Sequence, residues 1–121
     1  MNYLFRIVMI TVIAFSLTAS AALAASPGAP SGLVLKIEGK GVLLSWKASP
    51  DDPGKVTGYE IVRADVASGP FKKVGKVKKG IFQYNDKTAK PEIIYFYKVR
   101  AVAGKSFSDY SQPAAVERPG N

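Results

Sequence analysis

The chain contains no cysteine and no histidine among its 121 residues. The missing cysteine excludes disulfides, thiol nucleophiles, cysteine-based zinc sites and a lipid anchor attached through cysteine. The missing histidine removes the most used general base and the most used metal ligand. Acids are scarce as well: nine Asp and Glu stand against 17 Lys and Arg, a formal net charge of +8. Serines are plentiful, but none has a histidine to activate it. The lysines fall in turns or on outward strand positions, where burial cannot tune them into bases. The densest acids are Asp51 and Asp52, with Glu60 further on. In a loop of turn formers they serve most simply as caps. A weak calcium site would need more oxygen ligands, and a glycosidase pair would need a cleft. No phosphate-cradling glycine loop precedes a helix. The chain reads as a non-enzymatic protein with no cofactor and no metal site.

Long hydrophobic runs are also missing, except at the N-terminus. There a short segment with Arg6 leads into Ile7 to Phe15, followed by small residues ending in Ala22-Leu23-Ala24. This is the pattern of a secretory signal peptide cut after Ala24, residues 1–24. The alternative is an uncleaved anchor, but Ser16, Thr18 and Ser20 dilute a span of about 20 apolar residues. The expected mature chain, from Ala25 to Asn121, carries formal charge +7. It is secreted, periplasmic or extracellular, and keeps no stable membrane anchor after cleavage.

What the mature chain does contain is alternation. From Tyr95 to Val102, Tyr95, Tyr97, Val99 and Ala101 fall on one phase, and Phe96, Lys98, Arg100 and Val102 on the other. Period two over eight residues is a half-buried strand. The same reading gives strands at Ser31–Ile37, at Val42–Lys47 with Trp46 inward, and at Val56–Ala64 with Tyr59 and Ile61 inward. It continues with a short, lysine-bearing strand broken by Gly75 at Phe71–Val77, and one at Ile81–Asp86 with Phe82 and Tyr84 inward. Ile93–Ala103 is a long strand, and Phe107–Val116 is the last, with Pro113 marking an irregularity or an edge. Turn formers separate them, and no segment reads as a helix. Seven short strands with this spacing predict an all-β, antiparallel Greek-key sandwich. The organisation expected is a flexible Pro/Gly lead-in at 25–30, one domain at 31–117 and a tail at 118–121.

The landmarks, taken in order, resemble a fibronectin type III domain. They are Pro30 before Leu33, then Val42-x-Leu44-Ser45-Trp46, Val56-Thr57-Gly58-Tyr59-Glu60-Ile61 and Gly69-Pro70-Phe71. Tyr84-Asn85-Asp86, Tyr95-x-Tyr97-x-Val99-x-Ala101 and Ser108-x-Tyr110-Ser111 follow. The resemblance implies an immunoglobulin-like fold with Trp46, Tyr59, Tyr95 and Tyr97 in the structural core. It also implies a tyrosine corner, in which the Tyr95 hydroxyl returns to backbone a few residues upstream. The Arg-Gly-Asp tripeptide that some members carry between the last two strands is replaced here by Gly104-Lys105-Ser106-Phe107. Integrin-type adhesion by that route is not expected.

Charge gives the one candidate site. Lys72, Lys73, Lys76, Lys78 and Lys79 fall within eight residues, and no acid occurs between Asp65 and Asp86. In the family's sheet order the sixth strand shares a sheet with the third and fourth, which brings Lys98 and Arg100 onto the same side. These seven residues are the candidate anion-binding face, suited to an anionic polysaccharide or another polyanion. The competing reading is edge protection, since lysines on an edge strand block sheet-to-sheet aggregation. Few aromatics stand among the lysines in sequence, so sequence-specific nucleic acid binding is not expected. Phe96 and Val102, with Val62 beside them, form a second outward patch suited to docking a secreted or envelope protein, against the alternative of scattered surface residues. Two functions follow: a binding or adhesion module for an anionic envelope or matrix polymer, or a structural, accessory interaction module of a larger secreted or periplasmic assembly.

Overall fold

The computed structural model describes residues 26–120, so the expected signal peptide, residues 1–24, lies outside the described residues. The strands are β1 (Ser31–Glu38), β2 (Gly41–Lys47), β3 (Gly58–Ala64), β4 (Lys72–Lys78), β5 (Gln83–Asp86), β6 (Ile94–Ala103), β7 (Ser106–Phe107) and β8 (Ala114–Glu117). All pair antiparallel. One sheet has the order β1-β2-β5; the other runs β4-β3-β6-β7, with β8 also on β6. The expected sandwich forms, and β4 is an edge strand beside β3.

The alternating positions meet between the sheets. Val42, Leu44 and Trp46 of β2 face Tyr59 and Ile61 of β3 and Tyr95, Tyr97, Val99 and Ala101 of β6, joined by Val56 and Ala89. Burying each Val, Leu or Ile here contributes about 1.5–3 kcal/mol. The Trp46 and Tyr59 rings lie 5.6 Å apart. Phe82, expected inward, is more than one-third exposed, because β5 proper begins at Gln83. Only its carbonyl, accepting from the backbone N–H of Trp46 at 3.0 Å, continues the pairing.

The expected last strand divides in two. The turn at Gly104, whose φ of 62° suits glycine, returns the chain as the two-residue β7. Ser108 and Ser111 then continue the pairing with β6 half through backbone and half through side chains. Their N–H groups donate to the Ala101 and Val99 carbonyls at 2.9 and 2.7 Å, while Ser108 Oγ accepts from the Ala101 N–H at 2.8 Å and Ser111 Oγ from the Val99 N–H at 3.1 Å. Pro113, which has no N–H to give, closes this irregular stretch before β8.

Both ends of the domain are tied down. The lead-in expected to be flexible is docked: Pro27 and Pro30 are buried, and the Gly28 N–H donates to Asp51 Oδ2 at 2.7 Å. Arg118, expected in a tail, is buried, and its Nε–H donates to the Ala89 carbonyl at 3.2 Å.

Candidate ligand-binding face

Register decides which charges share a face. Opposed residues of neighbouring strands project to the same side. Lys76 stands opposite Glu60, which stands opposite Arg100; Lys73 stands opposite Val62, and Val62 opposite Lys98; Lys78 stands opposite Gly58, and Gly58 opposite Val102. Simple alternation would put Lys73 on the other side of β4 from Lys76 and Lys78. A register shift between Ile61 and Val62 leaves Val74 without an opposite number and brings Lys73 round to join them. Lys72, opposite Arg63, projects to the other side, and Lys79 sits in the turn after β4. All five side chains are exposed. Lys73, Lys76 and Lys78 border a shallow depression of about 450 Å³ whose floor includes Gly58 and Glu60.

The two cations of β6 are placed differently from the expectation. Arg100 is held by Glu60, whose Oε1 accepts from Nε at 3.0 Å and from Nη2 at 2.8 Å. Lys73 Nζ lies 3.7 Å from the other oxygen of that carboxylate. The Arg100 guanidinium also sits 3.7 Å from the Phe107 ring centroid and 5.0 Å from that of Tyr110. Lys98 Nζ sits 4.2 Å from the Phe71 centroid and 5.9 Å from that of Tyr110. Lys98 and Arg100 are therefore committed to rings and a carboxylate, while the β4 lysines supply the less restrained charge. The scarcity of aromatics among these cations is a property of the sequence only. Phe71 and the neighbouring pair Phe107 and Tyr110, distant from each other along the chain, converge on them in the fold. Of the other outward patch, Phe96 and Val102 are half-buried and Val62 is buried at 5% exposure.

A second polar constellation ties the two sheets together. Asp86 of β5, 1% exposed, accepts from the Tyr97 hydroxyl at 2.7 Å and from Arg63 Nη1 at 2.8 Å through Oδ2. Its Oδ1 accepts from the Thr88 hydroxyl at 2.6 Å and the Thr88 N–H at 3.0 Å. Burial alone would raise the Asp86 pKa, but the hydrogen bonds from Thr88, Tyr97 and Arg63 outweigh it and hold the carboxyl below its ordinary value. Burial, reinforced by the bond to Asp86, pushes the Tyr97 hydroxyl well up. Burial and the 2.7 Å bond to Asp52 push Tyr59 up to about 12. Asp51 and Asp52 do not cap the turn as expected: Ser49 Oγ accepts from the Asp51 N–H at 3.1 Å, while the two carboxylates accept from Gly28 and Tyr59 and tie the loop to the lead-in and to β3. The expected tyrosine corner is weak: the Lys90 N–H reaches the Tyr95 hydroxyl at 3.4 Å, and the Tyr95 ring lies beneath Arg63 at 4.4 Å.

Residues 28–117 match the model of the fibronectin type III domain family. Among curated proteins, an amylopullulanase of Thermoanaerobacter thermohydrosulfuricus is 36% identical over 77 residues, which is 64% of this chain but 5% of that protein. A fibronectin type III-like protein from Clostridium thermocellum superposes with TM-score 0.66 at 23% identity, over 79% of this chain and 97% of its own. Pectate lyase Pel3 of Pectobacterium carotovorum contains a similar unit, with TM-score 0.57 and 26% identity, over 73% of this chain and 26% of its own.

Proposed function

The chain belongs to the fibronectin type III family, and from that premise we propose that it is a non-catalytic accessory module that retains a secreted assembly on an acidic polysaccharide of the uronic-acid class. The observation that carries this reading is the gathering of Lys73, Lys76 and Lys78 on one face by the bulge at Val74. Edge protection needs lysines anywhere along β4. It does not call for a bulge that turns them to one side around a depression. The relatives supply the setting: modules of this kind occur within an amylopullulanase and a pectate lyase, proteins named for polysaccharide substrates. The sequence of residues 1–24, read as a signal peptide, supports a module that works outside the cytoplasm.

Several lysines acting on a polyanion make binding steeply salt-dependent. The purified domain, residues 25–121, is therefore expected to bind polygalacturonate at low salt and to release it as salt rises, and to leave a neutral α-glucan unbound. Equal retention on the neutral glucan would remove the charge-based reading.

A second reading is supported by the small share of the amylopullulanase that the match occupies. On this reading the module docks on another domain of a larger assembly through its outward sheet face. Apolar docking of that kind would change little with salt.

A further inference from the structure

The outward face of the β4-β3-β6-β7 sheet carries an alternating series of rings and cations, in the order Phe71, Lys98, Tyr110, Arg100, Phe107. Successive ring-to-cation separations are 4.2, 5.9, 5.0 and 3.7 Å. We infer that this series is a stacking track for pyranose rings, which makes the basic face select an acidic polysaccharide over polyanions that carry no sugar face. The inference rests on the polysaccharide reading above and names what that reading leaves open, the part of the polymer that is recognised.

Three observations carry it. First, Phe71, Phe107 and Tyr110 are not members of the hydrophobic core, and Phe107 and Tyr110 remain 41% and 38% exposed. Rings kept at the surface without a core role invite a partner. Second, the series is preorganised. Glu60 grips Arg100 through two nitrogens, and Arg100 in turn fixes the Phe107 ring 3.7 Å away. A ring already held in place loses little freedom when a ligand covers it. Third, the alternation matches the chemistry of the occupant. A pyranose presents an apolar C–H face, which a ring surface can cover, while its carboxylate projects at the rim. In a polymer of uronic acids these two features recur along the chain. The lysines beside the depression attract the charge, and the rings read the sugar.

The test compares two polyanions. Polygalacturonate offers both features, and inorganic polyphosphate offers charge alone. Phe107→Leu with Tyr110→Leu keeps apolar bulk and removes the ring faces. The doubly substituted domain is expected to lose about tenfold or more in affinity for polygalacturonate, the scale of at least one stacking contact, and to hold polyphosphate within about twofold of the parent. Its melting temperature, measured alongside, is expected to stay within a few degrees of the parent, because neither ring is in the core. Equal loss on both polymers, or loss on neither, would overturn the stacking track while leaving the lysine-based reading in place. Failure of the parent to bind either polymer at low salt would instead remove that reading, and the track with it. Oligothymidylate bound more tightly than polygalacturonate, with the same dependence on the two rings, would replace the sugar track by a base-stacking surface.

Discussion

The Tyr84 ring of β5 occupies the space that a side chain on Gly75 of β4 would fill. Its hydroxyl donates to the carbonyl of Val74 at 3.0 Å. Val74 is the extra residue of the bulge. One tyrosine from the three-stranded sheet thus reaches across the open side of the sandwich and secures the distortion that turns Lys73 toward Lys76 and Lys78. Gly75, which in sequence looks like a defect in a strand, is the slot that admits it.

Gly75→Ala should therefore cost about 1–3 kcal/mol, because the added methyl overlaps a ring held by packing. Tyr84→Phe should cost about 0.5–1.5 kcal/mol, the net worth of one hydrogen bond. In a Tyr84→Ala background the penalty for Gly75→Ala should shrink, since the two residues contend for one space. Urea denaturation of the four variants checks this, and strict additivity would separate the two residues.

The buried hydroxyls rank in a definite order. Tyr97→Phe should cost about 1–3 kcal/mol, because it removes a 2.7 Å bond to a buried carboxylate. Tyr95→Phe should cost less than about 0.5 kcal/mol, because its 3.4 Å contact lies beyond good hydrogen-bond range. Asp86→Ala should cost about 2–4 kcal/mol, since it strands Arg63 and the Tyr97 hydroxyl together, moderated by the partial exposure of Arg63. Denaturation midpoints of the three variants give the ranking directly.

Much of this was legible from period two alone. Trp46, Tyr59, Tyr97 and Val99 are inward because every second residue of a strand must be, and the edge position of β4 followed from the sheet order of the resemblance. The cross-sheet links were not legible. Arg63 and Asp86 are 23 residues apart, and nothing local indicates that they meet. The rings of Phe71 and of the neighbouring Phe107 and Tyr110 come from two segments more than 30 residues apart. Ser108 and Ser111 read as ordinary strand residues, although their hydroxyls take the acceptor half of the ladder with Ala101 and Val99. The face assignment of Lys73 depends on a bulge, and a bulge inverts the alternation from which such assignments are made.

Trp46→Ala should destabilise the domain by about 3–5 kcal/mol, as expected for an emptied core aromatic site. A loss below about 1 kcal/mol in chemical denaturation would contradict the packing of Trp46 against Tyr59.

Stability should respond to pH at both extremes. The Asp86 pKa is depressed in the folded state, so its contribution is complete above the ordinary carboxyl value of 3.8 and is lost as pH falls through the lower folded value. The Tyr59 pKa is raised from 10.0 to about 12, so its contribution is complete below pH 10 and is lost between pH 10 and 12. Thermal melts across pH should show the alkaline decline in the parent and a weaker one in Tyr59→Phe. Identical alkaline profiles would contradict the raised pKa that burial and the bond to Asp52 give the Tyr59 hydroxyl.

The most direct measurement concerns the basic edge. Two variants of the 25–121 domain are compared with the parent for polygalacturonate affinity over a range of salt. One replaces Lys72, Lys73, Lys76, Lys78 and Lys79 with Gln; the other replaces the exposed Lys36, Lys40, Lys47, Lys55 and Lys105. Both lose the same formal charge, and both should fold, because all ten side chains are exposed. The account predicts that the first loses most of its binding and its salt dependence, while the second stays near the parent. Equal loss in the two would mean that net charge alone attracts the polymer, and would return the β4 lysines to the role of guarding an edge.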